Sequence, residues 1–335
     1  MPGAGRERLH RPPGRHYSKR DGVSSDEILR KGMLLGLRNG WGGFVWMMKI
    51  IIPVSFCTEI LAWSGWLQKA DFVFRPLMKL MGLPAMAAYP LLVGATTGIY
   101  GGIAVMVALP FTKGEMTLLA VFLLVAHNLV QEGIVQGKSG INPWKATFIR
   151  LFTAALTVAV LAPLLVGGES SVAETPVVLS SHVKTLGEMV LSWALTMLSL
   201  AVRILLIIIT IMTFLEVMKV KGWINGLVRF LAPVLRVMGL SREVGFVWLT
   251  GVIFGLAYGG SVIIQESRAG HISREDIETL HLSIGINHAM VEDPALFLSL
   301  GLIPFWLWVP RIVVAILMTR LFTLWRKFLP RRIAA

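Results

Sequence analysis

Cysteine is nearly absent from this chain of 335 residues, and charged residues are few. The single cysteine, Cys57, excludes a disulfide within one chain, and its apolar surroundings favour a buried, inert thiol. Charged residues make up 15% of the sequence against 55% hydrophobic residues, and the mean hydropathy is +0.70. This composition excludes a soluble protein, because several apolar stretches are long enough to span a bilayer.

Acidic residues are also outnumbered: 19 aspartates and glutamates face 32 lysines and arginines, for a net charge of +13. The basic residues concentrate at the two ends and in loops, as the positive-inside rule predicts. We therefore expect the lipid bilayer, and no nucleic acid, as a partner. Residues 1–24 are polar and basic without an apolar core, which predicts a disordered cytoplasmic tail and not a signal peptide.

Residues 50–98 are repeated at 207–255 with a constant offset of 157. The identical pairs include Glu59 and Glu216, Trp66 and Trp223, Pro76 and Pro233, Gly82 and Gly239, and Gly98 and Gly255. Past a short insertion the offset becomes 161, which pairs His127 with His288, Gln131 with Glu292, Glu132 with Asp293, and Arg150 with Arg311. A duplication that includes polar residues in an apolar chain is typical of membrane transport folds, whose substrate site lies between the repeats.

Each repeat shows the same predicted layout. It comprises a long helix (26–63 and 183–219), an interfacial helix (71–83 and 228–240), a Gly-rich stretch (84–110 and 241–266) and two further spans (116–136 and 146–167, then 277–293 and 303–323). In the Gly-rich stretches the four-residue glycine spacing allows close helix packing, or a re-entrant hairpin with glycines at its tip.

The distribution of charged residues along the chain favours the re-entrant hairpin over a straight span. We expect the protein in the bacterial cytoplasmic (inner) membrane. The acidic loop 168–182 is expected on the outer side of this membrane, and the basic tail and residues 326–335 on the cytoplasmic side. An odd number of crossings must then separate the tail from the loop, and again the loop from the C-terminus. Three crossings per repeat, with each Gly-rich stretch counted as a hairpin, meet both conditions. The prediction is an all-α integral membrane protein with two inverted repeats, 25–167 and 183–325, each with about three spanning helices, an interfacial helix and a Gly-rich re-entrant hairpin.

Polar residues inside the apolar frame are the candidate site. Glu59 and Glu216 are either an ion or proton site, or interfacial carboxylates paired with basic loop residues. The pairs His127/Gln131 and His288/Glu292 are spaced to share a helix face, and Glu132 and Asp293 are within reach if the helices break at Gly133 and Pro294. These groups suit a metal or proton-relay site, or a polar cluster that satisfies a broken helix end.

Two further groups of polar residues flank this candidate site. Arg150 and Arg311 either snorkel to the interface or form salt bridges with Glu132 and Asp293. The Gly-rich tips carry Thr96, Tyr100, Tyr258 and Gln265. Unwound backbone at membrane depth is tolerated only where it is buried in protein or lines a cavity, so these residues are candidates to contact a polar ligand.

The layout resembles the nucleoside-recognition, or Gate-domain, family of membrane proteins. The resemblance is carried by the Gly-Trp, Pro and Met-Gly-Leu anchors and by the Gly-rich stretches GATTGIYGG and GLAYGG, over roughly 45–165 and 203–320. This family includes spore-maturation A and B type proteins, with relatives in the gates of concentrative nucleoside and ferrous-iron transporters. The resemblance implies two Gate repeats in one chain.

Two functions follow as expectations. One is a transporter that moves a small polar solute, such as a nucleoside, or a cation through a site between the repeats; the other is a non-transporting scaffold of the spore-maturation type. No nucleophile–base or metal-hydrolase pattern appears, so we expect neither an enzyme nor a cofactor. A homo-oligomer is compatible with either function.

Cysteines introduced into a Cys57→Ser background test the topology. We expect a cysteine in loop 168–182 to react with a membrane-impermeant maleimide added outside, and cysteines near Ser139 and Ser273 to react only from inside. External labelling near Ser139 would contradict the inverted repeats.

Overall fold

The computed structural model describes residues 25–166, 185–241, 244–270 and 272–328, and its regular secondary structure is helical. The predicted tail 1–24, the loop 168–182 and most of the basic C-terminus lie outside these residues. Among the described residues, five segments are long and apolar enough to cross a membrane: Asp26–Trp63, Lys113–Lys138, Pro143–Leu165, Leu186–Val220 and Pro304–Phe328. The predicted all-α membrane fold is confirmed.

Thirteen α-helices make up the described part of the chain. The first repeat contains α1 (Ser25–Trp63), α2 (Trp66–Leu80), a 3₁₀ turn (Ala85–Ala87), α3 (Ala88–Thr97), α4 (Ile99–Ala108), α5 (Lys113–Ala126), α6 (Leu129–Lys138) and α7 (Pro143–Leu165). The second contains α8 (Leu186–Val220), α9 (Ile224–Met238), α10 (Gly245–Ala269), α11 (Arg274–Asn287), α12 (Glu292–Leu298) and α13 (Pro304–Phe328).

Equivalent helices begin at equivalent capping residues. Thr112 caps α5, where its side chain accepts a hydrogen bond from the amide of Glu115, and Ser273 caps α11 through the amide of Asp276. These two caps are separated by the offset of 161 that the sequence predicts. A side-chain oxygen at the N-cap satisfies an amide that the helix itself leaves unpaired, so the local sequence determines where both helices start.

The Gly-rich stretches fold back on themselves as helical hairpins. The first bends at Gly98 (φ 100°), and a Cβ on Gly94 would lie 3.3 Å from the Cα of Gly102. The second bends at Gly255 (φ 69°), and a Cβ on Gly259 would lie 2.6 Å from the Cα of Gly251. Only glycine allows this approach, because any side chain would separate the two arms. The sequence left a straight span open as an alternative, and this geometry excludes it.

The predicted interfacial helix α2 runs at a steep angle to the hairpin that follows it. Residues Asp71–Leu80 and Ala85–Thr97 differ in direction by 89°. The turn contains Gly82, whose φ of 66° suits glycine, and then Pro84. If the hairpin lies along the membrane normal, this turn places α2 along the membrane surface, as its amphipathic sequence predicts.

The long helices α1 and α8 pack antiparallel. Three glycines of α1 lie against the backbone or side chains of α8, in the pairs Gly32–Val217, Gly36–Thr213 and Gly40–Ile209. Residue numbers rise along α1 as they fall along α8, which defines the antiparallel direction. Since α1 and α8 are equivalent helices of the two repeats, this packing is the arrangement that inverted repeats require.

The α1–α8 contact is also symmetric. The rings of Phe56 and Trp193 lie 4.7 Å apart. The offset of 157 makes Phe56 the equivalent of Thr213, and Trp193 the equivalent of Gly36. A contact that recurs with the partners exchanged is what a twofold axis between two copies produces. The orientation of the repeats relative to a membrane stays a prediction.

The middle of the bundle is formed by α5 and α11. Residues Leu118–Ala126 of α5 are buried throughout, and α11 is buried from Thr279 to Asn287 except at Leu282. Around them, α7 and α13 pack on both central helices, and many of their outward apolar side chains remain exposed. Exposed leucines and phenylalanines on these outer helices are suited to contact with lipid.

The second central helix differs from the predicted span 277–293. Helix α11 contains 14 residues and ends at Asn287, so it does not cross a membrane by itself on length and composition. Together with α12 it occupies the place that α5 and α6 have in the first repeat. The crossing of this segment therefore stays a prediction.

Gly36 permits the closest approach of α1 to α8, and its replacement tests this packing. A Cβ at Gly36 would lie 2.3 Å from the Cα of Thr213, whereas a Cβ at Gly43 of the same helix meets nothing within 4 Å. We expect Gly36→Ala to lower the thermal melting temperature in detergent, with overpacking of about 1–3 kcal/mol, and Gly43→Ala to leave it unchanged or raise it. Equal effects would contradict the antiparallel contact.

Candidate functional site

Each central helix breaks deep inside the protein. Helix α5 ends before His127, and the next residue, Asn128, has a φ of 54°. Helix α11 ends before His288, and Ala289 has a φ of 47°. These positive φ angles are unusual for residues other than glycine. They end both helices at positions related by the offset of 161.

Each break is held by the glycine hairpin of its own repeat. The amide of Asn128 donates to the carbonyl of Gly94 at 3.0 Å, and the amide of Ala289 donates to the carbonyl of Gly251 at 3.1 Å. The bend of the second hairpin is close to the break as well, since a Cβ on Gly255 would lie 3.3 Å from the Cβ of Ala289. Each hairpin therefore supplies backbone partners where the central helix has lost its own.

The freed carbonyls at the helix ends are satisfied by buried arginines. Arg150 of α7 donates to the carbonyl of Val125 at 3.0 and 2.8 Å and to that of His127 at 3.2 Å. Arg311 of α13 donates to the carbonyls of Ile286 and His288. All of these partners are related by the offset. An unsatisfied carbonyl in an apolar interior is costly, so both arginines stabilise the breaks.

Both histidines use one ring nitrogen in the same way. His127 Nδ1 lies 2.7 Å from the carbonyl oxygen of Leu123, and His288 Nδ1 lies 3.1 Å from that of Ile284. A carbonyl oxygen only accepts, so each Nδ1 carries the proton. In neutral imidazoles both Nε2 atoms then present lone pairs.

These two Nε2 atoms face each other where the first and second repeats meet. They lie 3.1 Å apart, and the ring centroids are separated by 4.7 Å. Each side chain is about 95% buried or more. Two opposed lone pairs at this distance repel, and either a proton or a metal ion between or beside them would remove the repulsion.

Two buried carboxylates complete the cluster. Glu132 Oε1 lies 3.5 Å from His288 Nε2, and Asp293 Oδ2 lies 3.5 Å from His127 Nε2. The other oxygen of Glu132 is paired with Arg150 at 2.5 Å. Asp293 Oδ2 has no hydrogen-bond partner within the described residues. We refer to His127, Glu132, His288 and Asp293 as the central cluster.

One contact joins the first hairpin to the second repeat beside the central cluster. The hydroxyl of Tyr100 donates to Glu292 Oε1 at 2.6 Å, and the Tyr100 ring packs edge-on against Trp46 at 5.4 Å. Glu292 directly precedes Asp293 in the chain. The predicted tip residue Tyr100 is thus engaged by a carboxylate.

The other predicted site residues lie apart from the central cluster. Gln131 is exposed and accepts a hydrogen bond from Asn128, Thr96 is exposed and donates to its own helix backbone, and Gln265 is exposed. Glu216 accepts hydrogen bonds from Lys219 and Asn39, the surface pairing that the sequence left open as an alternative. Glu59 is half-buried near the end of α1. The Tyr258 side chain lies outside the described residues.

The prediction that His127 and Gln131 share a helix face is wrong, and the same applies to His288 and Glu292. The reason is the location of the breaks, which precede these partners instead of following them at Gly133 and Pro294. A positive φ between the two members of each pair rotates the second away from the first. Of the alternatives for the arginines, burial and the Glu132 contact exclude snorkelling for Arg150.

Comparison with known proteins gives one informative relative. The chain is 30% identical over 305 residues to the "Uncharacterized membrane protein YvoD" of Bacillus subtilis (strain 168), which covers 90% of this chain and 97% of that protein. No protein-family model matches the chain, and no solved structure matches it. The Gate-domain resemblance therefore stays a prediction.

Replacing Arg150 tests the pairing that holds the first break. We expect Arg150→Met to lower the free energy of unfolding by about 3–5 kcal/mol, because Glu132 is left buried without its partner. The double variant Arg150→Met/Glu132→Met should recover part of this loss. Lys145→Met is the control, since Lys145 is exposed on the same helix. Equal melting temperatures for Arg150→Met and Lys145→Met would contradict the pairing.

Proposed function

The chain belongs to the family of the uncharacterized membrane protein YvoD of Bacillus subtilis, and we propose that it is a transporter of a small polar solute or cation. In this proposal the central cluster is the substrate site, and it lies between two inverted Gate-type repeats. The protein resides in the bacterial cytoplasmic membrane, with both termini inside.

The observation that carries this proposal is a charged site built at four helix ends in the apolar interior. His127 and Glu132 come from one repeat, His288 and Asp293 from the other, and all four are at least 95% buried. Ionisable groups in a membrane interior are costly and usually mark an ion or substrate pathway. Secondary transporters place such sites where broken helices of two repeats meet.

The same contacts favour a cation over a nucleoside as cargo. A nucleoside site requires amide and hydroxyl groups that converge on an aromatic platform. Gln131 and Gln265 are exposed, and the Tyr100 hydroxyl is bound to Glu292. The two histidine Nε2 atoms are only 3.1 Å apart, which leaves no room for a nucleoside between them. A single ion, in contrast, fits beside the line that joins these two atoms.

A non-transporting membrane scaffold is the second candidate. It is favoured by the caps at the helix breaks, where Arg150, Arg311 and both histidine Nδ1 atoms satisfy backbone carbonyls. These contacts are structural. They leave unexplained why both Nε2 atoms and both carboxylates converge, because a helix end needs none of them.

Flux through reconstituted protein separates the two candidates. Full-length protein in liposomes is tested for uptake of Mn²⁺, Fe²⁺ and Zn²⁺ with an entrapped indicator, and for uptake of radiolabelled uridine and adenosine. We expect uptake of a cation above protein-free liposomes, and Asp293→Asn to reduce it to that background because a charged member of the site is lost.

The matched control is Asp26→Asn, which makes the same change at an exposed residue of the first turn of α1. It should transport like the unchanged protein. Absence of flux for all five probes, together with a lower melting temperature for Asp293→Asn, would overturn the transport proposal in favour of the scaffold.

A further inference from the structure

The donor atoms of His127, Glu132 and His288 lie close enough together to contact a single ion, and Asp293 lies beside them. From His288 Nε2, the distances are 3.1 Å to His127 Nε2, 3.5 Å to Glu132 Oε1 and 4.0 Å to Asp293 Oδ2. His127 Nε2 lies 3.5 Å from Asp293 Oδ2. Ligand atoms of His127, Glu132 and His288 all lie within 4.8 Å of one another.

These separations match the coordination sphere of a transition metal. Ligands about 2.0–2.2 Å from a tetrahedral ion are about 3.3–3.6 Å from each other. Three of the four measured separations lie within about 0.2 Å of that range. The fourth, at 4.0 Å, is longer, so Asp293 would have to move closer to the other three ligands to complete the sphere. A hydrogen bond, in contrast, is about 2.7–3.2 Å long, which excludes the two 3.5 Å contacts.

A shared proton explains less of this arrangement. One proton between the two Nε2 atoms relieves their repulsion and uses neither carboxylate. Asp293 Oδ2 is buried, has no hydrogen-bond partner among the described residues, and points at both histidines. A bound cation that this oxygen contacts directly would offset the cost of burying it without a partner.

The surrounding hydrogen bonds are those that metal sites use to orient their ligands. A metal-binding histidine usually donates its other N–H to a carbonyl or carboxylate, which fixes the tautomer and the ring. Leu123 and Ile284 supply these carbonyls. Arg150 in turn holds the second oxygen of Glu132, so that Oε1 faces His288.

We infer that His127, Glu132, His288 and Asp293 together bind one divalent transition-metal ion, and this ion is the cargo if the proposed transport function holds. Two imidazoles and two carboxylates suit Zn²⁺, Fe²⁺, Mn²⁺ or Co²⁺. Cu⁺ is disfavoured because it prefers thiolates and thioethers, which the central cluster does not contain.

The test is direct metal binding to the purified full-length chain, without an affinity tag. Chelator-treated protein is titrated with Zn²⁺ by calorimetry and with Co²⁺ by visible absorption, which reports tetrahedral nitrogen and oxygen ligands. We expect one ion per chain. His288→Asn should weaken binding by at least about 100-fold, more than the loss of an outer hydrogen bond does.

Asparagine is chosen because its amide N–H takes the place of the histidine Nδ1–H and continues to donate to Ile284. The fold is therefore retained while Nε2 is removed. His281→Asn is the matched control: His281 is buried on the same helix, outside the central cluster. It should bind one ion with unchanged affinity.

Retention of the ion by the double variant His127→Asn/His288→Asn would overturn the inference, since other histidines such as His10 and His16 would then bind it. Failure of the folded, unchanged protein to bind Zn²⁺ and Co²⁺ would also overturn it. If nucleoside flux persists without metal binding, the transport proposal survives and this inference fails. If metal binds but no probe crosses, the ion is structural and the transport proposal fails.

Discussion

The break in each central helix is the constraint on which the rest of this structure depends. A helix that stops inside an apolar protein exposes carbonyls that neither water nor lipid satisfies. Arg150 and Arg311 satisfy them from neighbouring helices, and the histidine Nδ1 atoms satisfy one more carbonyl each. Once an arginine is buried for this purpose, a carboxylate is needed to balance it, as Glu132 does for Arg150. The backbone requirement therefore explains why arginines and a carboxylate are buried here at all.

Symmetry converts one histidine per repeat into a pair. Around a twofold axis, a residue close to the axis meets its own equivalent, whereas a residue away from it meets a different partner. His127 and His288 show the first case, and the α1–α8 contacts show the second, since Gly36–Thr213 recurs as Phe56–Trp193. A single polar residue near a helix break is thus sufficient, after duplication and inversion, to create a site with two nitrogen ligands.

Much of this architecture could be predicted from the sequence, because glycine, proline and polar residues recur at fixed offsets. The Gly94 and Gly102 spacing indicated a close approach, and a hairpin is what it produces. The break positions could not be predicted. Neither Asn128 nor Ala289 ends helices by intrinsic preference as strongly as Gly133 or Pro294 would, and their positive φ depends on hydrogen bonds to hairpins distant in sequence. Because the breaks were predicted too late in the chain, Gln131 and Glu292 were wrongly predicted to share a helix face with the histidines. The salt bridge between Glu132 and Arg150, in contrast, was one of the two alternatives that the sequence offered.

The two halves of the site differ by one methylene group, and this difference has a chemical consequence. Glu132 is long enough to contact Arg150 with one oxygen and His288 with the other. Asp293, its equivalent, is shorter; its Oδ2 faces the histidines, and Nη1 of Arg311 has no hydrogen-bond partner among the described residues. Glu132 is therefore paired with its arginine, whereas Asp293 Oδ2 has no hydrogen-bond partner among the described residues and lies beside the histidines. In the proposed metal site, Asp293 is therefore the carboxylate that depends on the bound ion for a partner, whereas Glu132 already has one in Arg150.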